Sequence, residues 1–120
     1  MSEVIILEDD PSYQGYMRRM VPEGVSCEIV GTSDALRACL AQNLNTTVFI
    51  LDDRVPPSTE EKESCQFLPN AQAVLEAKPD AQIWYIGSSP GIEEFRFCSE
   101  KGIKMIVRTD IRDVLNKLKK

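Results

Sequence analysis

Three stretches of this sequence are apolar without interruption: Val4-Ile5-Ile6-Leu7, Val48-Phe49-Ile50-Leu51 and Ile83-Trp84-Tyr85-Ile86. No other feature restricts the fold as much. A strand with one wet face alternates apolar and polar residues, whereas a strand covered on both faces does not. Runs of four are too short for helices. Strands covered on both faces belong to parallel sheets whose crossover connections lay helices on either side.

The segments between the runs carry helical signals. Asp10 is placed as an N-cap before Pro11, and Tyr13, Tyr16, Met17 and Met20 follow at helical spacing, so a first helix is expected over 11–20. Pro22 and Gly24 mark a turn before a short strand over 25–30. Gly31-Thr32-Ser33 offers a cap to a second helix with Leu36, Cys39 and Leu40 inward. A third helix is expected over about 70–78, and a fourth over 91–101 with Ile92, Phe95 and Cys98 as its stripe and Phe97 off it. Gly102 stops the fourth helix. A last strand spans 103–107. Thr109-Asp110 caps a final helix with Ile111, Val114, Leu115 and Leu118 at i, i+3, i+4 and i+7. Residues 54–66 are polar and turn-prone, and read as a long, partly mobile loop.

Strict alternation of five strands and five helices predicts an α/β domain over 1–120. The expected form is a flavodoxin-like, doubly wound, five-stranded parallel sheet of order 2-1-3-4-5. The length of 120 residues suits one such domain.

Composition removes several kinds of chemistry. There is no histidine, which excludes histidine acid–base catalysis, Ser-His-Asp triads and histidine metal ligands. The net charge of -5 argues against a nucleic-acid backbone as partner. Cys27, Cys39, Cys65 and Cys98 form no C-x-x-C pair, and small buried apolar roles are expected of them. No apolar stretch approaches the roughly 18 residues of a membrane span, and the acidic start is unlike a signal peptide. A cytoplasmic protein with reduced thiols is expected.

Two apolar runs end in acids: Glu8-Asp9-Asp10 after the first and Asp52-Asp53 after the third strand. In the order 2-1-3-4-5, strands 1 and 3 are neighbours, and ligands of open α/β sheets bind at the carboxyl ends of the strands. Carboxylates gathered in one place need neutralising, and a hard divalent cation such as Mg²⁺ does so.

The segments V-I-I-L-E-D-D-P and V-F-I-L-D-D-R-V-P resemble the receiver domain of bacterial response regulators, and the likeness extends over essentially the whole chain. P-D-A-Q-I-W-Y-I-G-S-S and C-S-E-K-G-I fall where that family has its fourth strand and the end of its fourth helix. The resemblance implies Mg²⁺ held by Glu8 and Asp9 with Asp52. Asp52, four residues before Pro56, would be the phosphoacceptor, and Arg54 would offer its backbone carbonyl to the metal. A haloacid dehalogenase would need D-x-D where this chain has Asp52-Asp53-Arg54.

The sequence departs from the family where the phosphoryl group is sensed. Gly87 occupies the usual hydroxyl position, with Ser88 one residue late. Thr109 stands at the usual lysine, with Arg108 adjacent as a cationic substitute. Ile106 stands at the aromatic switch, and the D-G turn after strand 3 is missing. The resemblance implies a stand-alone, atypical, non-enzymatic receiver in phosphorelay signalling. It would meet a sensor histidine kinase or other signalling protein, bind no nucleic acid, membrane or small-molecule substrate beyond a phosphodonor, and act through protein–protein contact. The alternative is a pseudo-receiver that uses its surface without phosphorylation.

Overall fold

A computed structural model describes residues 3–42, 45–87 and 90–117. The three apolar runs are strands β1 (Val4–Leu7), β3 (Val48–Asp52) and β6 (Gln82–Ile86). They join β2 (Cys27–Val30) and β7 (Lys104–Ile106) in one parallel sheet of order β2-β1-β3-β6-β7. That is the expected 2-1-3-4-5 order, with two further short strands in the numbering.

Alternate residues of the central strands enter opposite cores, which is why the runs are unbroken. Ile5, Leu7, Phe49, Leu51, Ile83 and Tyr85 pack with residues of α2 (Ser33–Gln42), α3 (Phe67–Ala77) and α4 (Ile92–Lys101). Val4, Ile6, Val48, Ile50, Trp84 and Ile86 pack with α1 (Pro11–Met20) and α5 (Ile111–Asn116).

Local chemistry sets the helix ends. Asp10 Oδ1 accepts the Ser12 amide at 2.9 Å, and Pro11 opens α1. Thr32 Oγ1 accepts the Ala35 amide at 3.0 Å. Gly102 ends α4 at φ 70°, a left-handed conformation that glycine adopts without a Cβ penalty.

Several expectations need correcting. The 54–66 segment is not a plain loop: β4 (Arg54–Val55) and β5 (Ser64–Cys65) pair antiparallel. Val55 is fully buried, and the carbonyls of Pro56 and Pro57 accept the Ser33 and Asp34 amides at the start of α2, at 3.0 and 2.9 Å. Helix α3 begins three residues earlier than expected because Phe67 is drawn into the core beside Tyr85, ring centroids 4.7 Å apart. Asp110 makes no side-chain cap; a 3₁₀ turn, Arg108–Asp110, leads into α5 instead. The inward side of α4 is rotated, so that Phe97 packs on the core while Ile92 and Phe95 are exposed. Cys39 and Cys98 are buried as expected, but Cys65 is exposed. Leu118 lies outside the described residues.

Candidate functional site

Parallel pairing of β1 with β3 sets Leu7 beside Leu51, so the residues that follow each strand emerge at one end of the sheet. One carboxylate oxygen from each of Glu8, Asp9 and Asp52 falls within a set spanning no more than 4.8 Å. Glu8 is wholly buried, Asp52 nearly so, and Asp9 half-buried. Glu8 Oε2 accepts the Asp10 amide at 3.1 Å, and Asp52 Oδ1 accepts the Arg54 amide at 3.2 Å. Glu8 Oε1 is buried with no hydrogen-bond partner among the described residues.

Arg108 crosses to this cluster from the turn after β7. Its Nη2 donates to Asp52 Oδ2 at 2.9 Å and to Glu8 Oε2 at 3.2 Å, and its guanidinium lies 4.6 Å from the centroid of the Tyr13 ring. Burial pushes Glu8 up to about 8, with the negative charge of Asp52 adding to the rise. Burial also raises Asp9. Partial burial pulls Arg108 down, but its bond to Asp52 and the charge of Glu8 outweigh this and hold it above its ordinary value.

Asp53 turns the other way from Asp52. Its Oδ2 accepts the buried Tyr85 hydroxyl at 2.8 Å, its amide donates to the Ile86 carbonyl at 2.9 Å, and its carbonyl accepts the Gln66 amide at 2.9 Å. Burial raises Tyr85 well above the usual phenol range, and the Asp53 bond adds to this. Burial raises Asp53 too, against the lowering effect of the phenol. A Cβ built on Gly87 would lie 2.5 Å from the Tyr85 hydroxyl oxygen and 2.8 Å from two ring carbons. The glycine at the position of the family's hydroxyl therefore has a local cause: the Tyr85 phenol fills that space.

A cleft of about 450 Å³ opens beside Asp52, lined by Asp52, Asp53, Arg54, Glu63, Cys65, Gly87, Val107 and Arg108. Arg54 on its rim reaches Glu63 at 3.6 Å and the Cys65 sulfur at 3.3 Å. Thus Glu8, Asp9, Asp52, Arg54 and Arg108 come together. Thr109 stands exposed on the 3₁₀ turn and does not line the cleft. Ser88 lies outside the described residues. Ile106 packs against the α1/α5 core. The sequence did not point to Tyr13 or Tyr85 as part of the site, and Asp53 was legible only as one of the acidic pair, not as the partner of Tyr85. For Tyr85 the available signal was a tyrosine two residues before the glycine that follows the strand.

The donor set suits a hard cation: three carboxylates, one of them with a buried oxygen still unpartnered. No helix among the described residues is long and apolar enough to cross a membrane.

No protein-family model and no curated protein matches the sequence. Solved structures do match. The RcsB response regulator of Salmonella typhimurium aligns with a TM-score of 0.75 at 18% identity, covering 98% of this chain and 59% of that one. This chain therefore spans less than two thirds of that protein's length. A CheY-like response regulator receiver domain from Methanospirillum hungatei aligns at 0.72 and 18% identity, covering 98% of this chain and 90% of that one. A de novo designed Rossmann 2x3 protein reaches 0.67 at 16% identity, covering 98% and 89%. At such identities the likeness shows the fold, which is that of response-regulator receiver domains.

Proposed function

We propose that this chain is an atypical receiver in phosphorelay signalling, with Asp52 as phosphoacceptor. The supporting observation is the convergence of Glu8, Asp9 and Asp52 oxygens within 4.8 Å at the carboxyl end of the sheet. These residues, with the backbone carbonyl of Arg54, would hold Mg²⁺, which when bound offsets the negative charge gathered around the transferred group. An Asp52 oxygen attacks the phosphorus, the bond from phosphorus to the donor atom breaks, and the leaving group departs with that electron pair and takes up a proton. This sequence contains no histidine, so its residues cannot supply a phosphohistidine donor. A sensor histidine kinase, another signalling protein or a small phosphodonor fills that role. The chain is a signalling module rather than an enzyme. It works in the cytoplasm, and its output is contact with another protein rather than with nucleic acid or membrane. Arg108 takes the part of the family's lysine, next to Thr109 at that lysine's usual position, and Ser88 is the candidate hydroxyl switch.

The second reading is a pseudo-receiver that acts without phosphorylation, and the Tyr85 phenol in the space beside Gly87 favours it. Incubation with Mg²⁺ and acetyl phosphate or beryllofluoride separates the two, read by intact mass and Trp84 fluorescence. An adduct lost in Asp52→Asn is expected. Absence of both adduct and Mg²⁺ binding sinks the phosphoacceptor reading, and an adduct that survives Asp52→Asn sinks the site assignment.

A further inference from the structure

The carboxylate cluster already holds a cation of its own. A single nitrogen, Arg108 Nη2, bridges Asp52 Oδ2 and Glu8 Oε2 at 2.9 and 3.2 Å. The other oxygen of Asp52 is engaged by the Arg54 amide, and Glu8 Oε2 is shared with the Asp10 amide. The oxygens of the two buried acids that are engaged by a charged group are thus both engaged by the same guanidinium. Only the buried, unpartnered Glu8 Oε1 stands outside this arrangement. The guanidinium is held from a second side by the Tyr13 ring, centroid 4.6 Å away. Its side chain is 39% exposed and lines the open cleft, so it has somewhere to go without entering the core.

We propose that Arg108 is an exchangeable counterion that competes with a divalent cation for Asp52 Oδ2 and Glu8 Oε2. It thereby sets how tightly this chain binds Mg²⁺. The proposal rests on reading the cluster as a cation site. Two carboxylates bridged by a guanidinium have part of their charge already offset, so an arriving ion gains less from them than from bare acids. A strongly hydrated ion such as Mg²⁺ must also exchange waters for oxygens that Arg108 occupies. Displacement is not prohibitive, because the guanidinium regains water in the open cleft while the Tyr13 contact seen here belongs to the carboxylate-bound position. Released into the cleft, it sits beside Asp52, where its planar fork suits tetrahedral oxyanions. Glutamine at 108 keeps polarity but is shorter and carries no charge, whereas lysine keeps the charge.

The test is direct titration of the full chain with Mn²⁺ by electron paramagnetic resonance and with Mg²⁺ by calorimetry. Proteins compared are wild type, Arg108→Gln, Arg108→Lys and Tyr13→Leu. Arg108→Gln is expected to bind both ions at least fivefold more tightly, about 1 kcal/mol at 1.4 kcal/mol per tenfold. Arg108→Lys is expected to stay closer to wild type. Equal affinity in wild type and Arg108→Gln overturns the counterion role but leaves the cation site standing. Binding to neither protein overturns both. Should Arg108→Gln fail to fold, Tyr13→Leu, which loosens the guanidinium without removing it, is expected to tighten binding by a smaller factor; unchanged affinity there overturns the proposal.

Discussion

A methyl group on Gly87 would meet the Tyr85 ring at 2.8 Å and its hydroxyl oxygen at 2.5 Å. The ring cannot easily give way, because Phe67 packs edge-on against it and Asp53 holds its hydroxyl. Gly87→Thr should therefore cost about 1–3 kcal/mol by urea denaturation, the usual range for overpacking. In a Tyr85→Leu background the same change should cost distinctly less. Additive costs in that double-mutant cycle would show that the two sites do not share space. Tyr85→Phe should cost about 1–3 kcal/mol by the same measurement, since it leaves the buried Asp53 carboxylate short of a donor. The residues legible from sequence were the acids, because each of the two clusters directly follows an apolar run. Tyr85 was not legible as part of the site. It sits within such a run, and its second role depends on a hydroxyl reaching Asp53 from a neighbouring strand.

Among the elements, sequence reading succeeded where period and caps are strong. The buried strands and the Asp10-Pro11 start of α1 lie where expected. It failed where pairing is too short to have a period. Strands β4 and β5 contain two residues each, and what fixes them is backbone bonding that no side-chain pattern records. On α4 the apolar residues Ile92 and Phe95 suggested the wrong side, whereas Phe97 and Cys98 face inward. A stripe gives spacing but not its partner. The hairpin makes its own prediction. The amides of Ser33, Asp34 and Gln66 are bonded to Pro56, Pro57 and Asp53, so native-state hydrogen exchange should find all three protected. Rapid exchange at these amides would mean that the segment does not hold α2 and β3 as described.

At the scale of the whole molecule, both cores carry neutral thiols. Burial pushes Cys98 and Cys27 up to about 11, and Cys39 up to about 12, from an ordinary 9.0. Above pH 9 the unfolded chain loses these protons while the folded chain keeps them, so the folded state binds more protons and stability falls as pH rises towards 11. Urea unfolding at successive pH values should show that decline, with a shallower slope in Cys98→Ala. An unchanged slope would assign the decline to other groups. Ellman's reagent should find Cys65 fast at pH 8, with Cys39 and Cys98 released only on unfolding. The overall architecture was legible because alternation of strand and helix leaves few topologies open. The pairing of Arg108 with Glu8 was not, since 100 residues separate them. The hairpin has a further consequence for what this scaffold can carry. Residues 59–63 are exposed, while both stems are fastened, one to α2 and the other to Asp53. Glu63 lines the cleft, so a peptide grafted a few residues before it, between Glu60 and Glu61, would lengthen the exposed tip without unseating either stem.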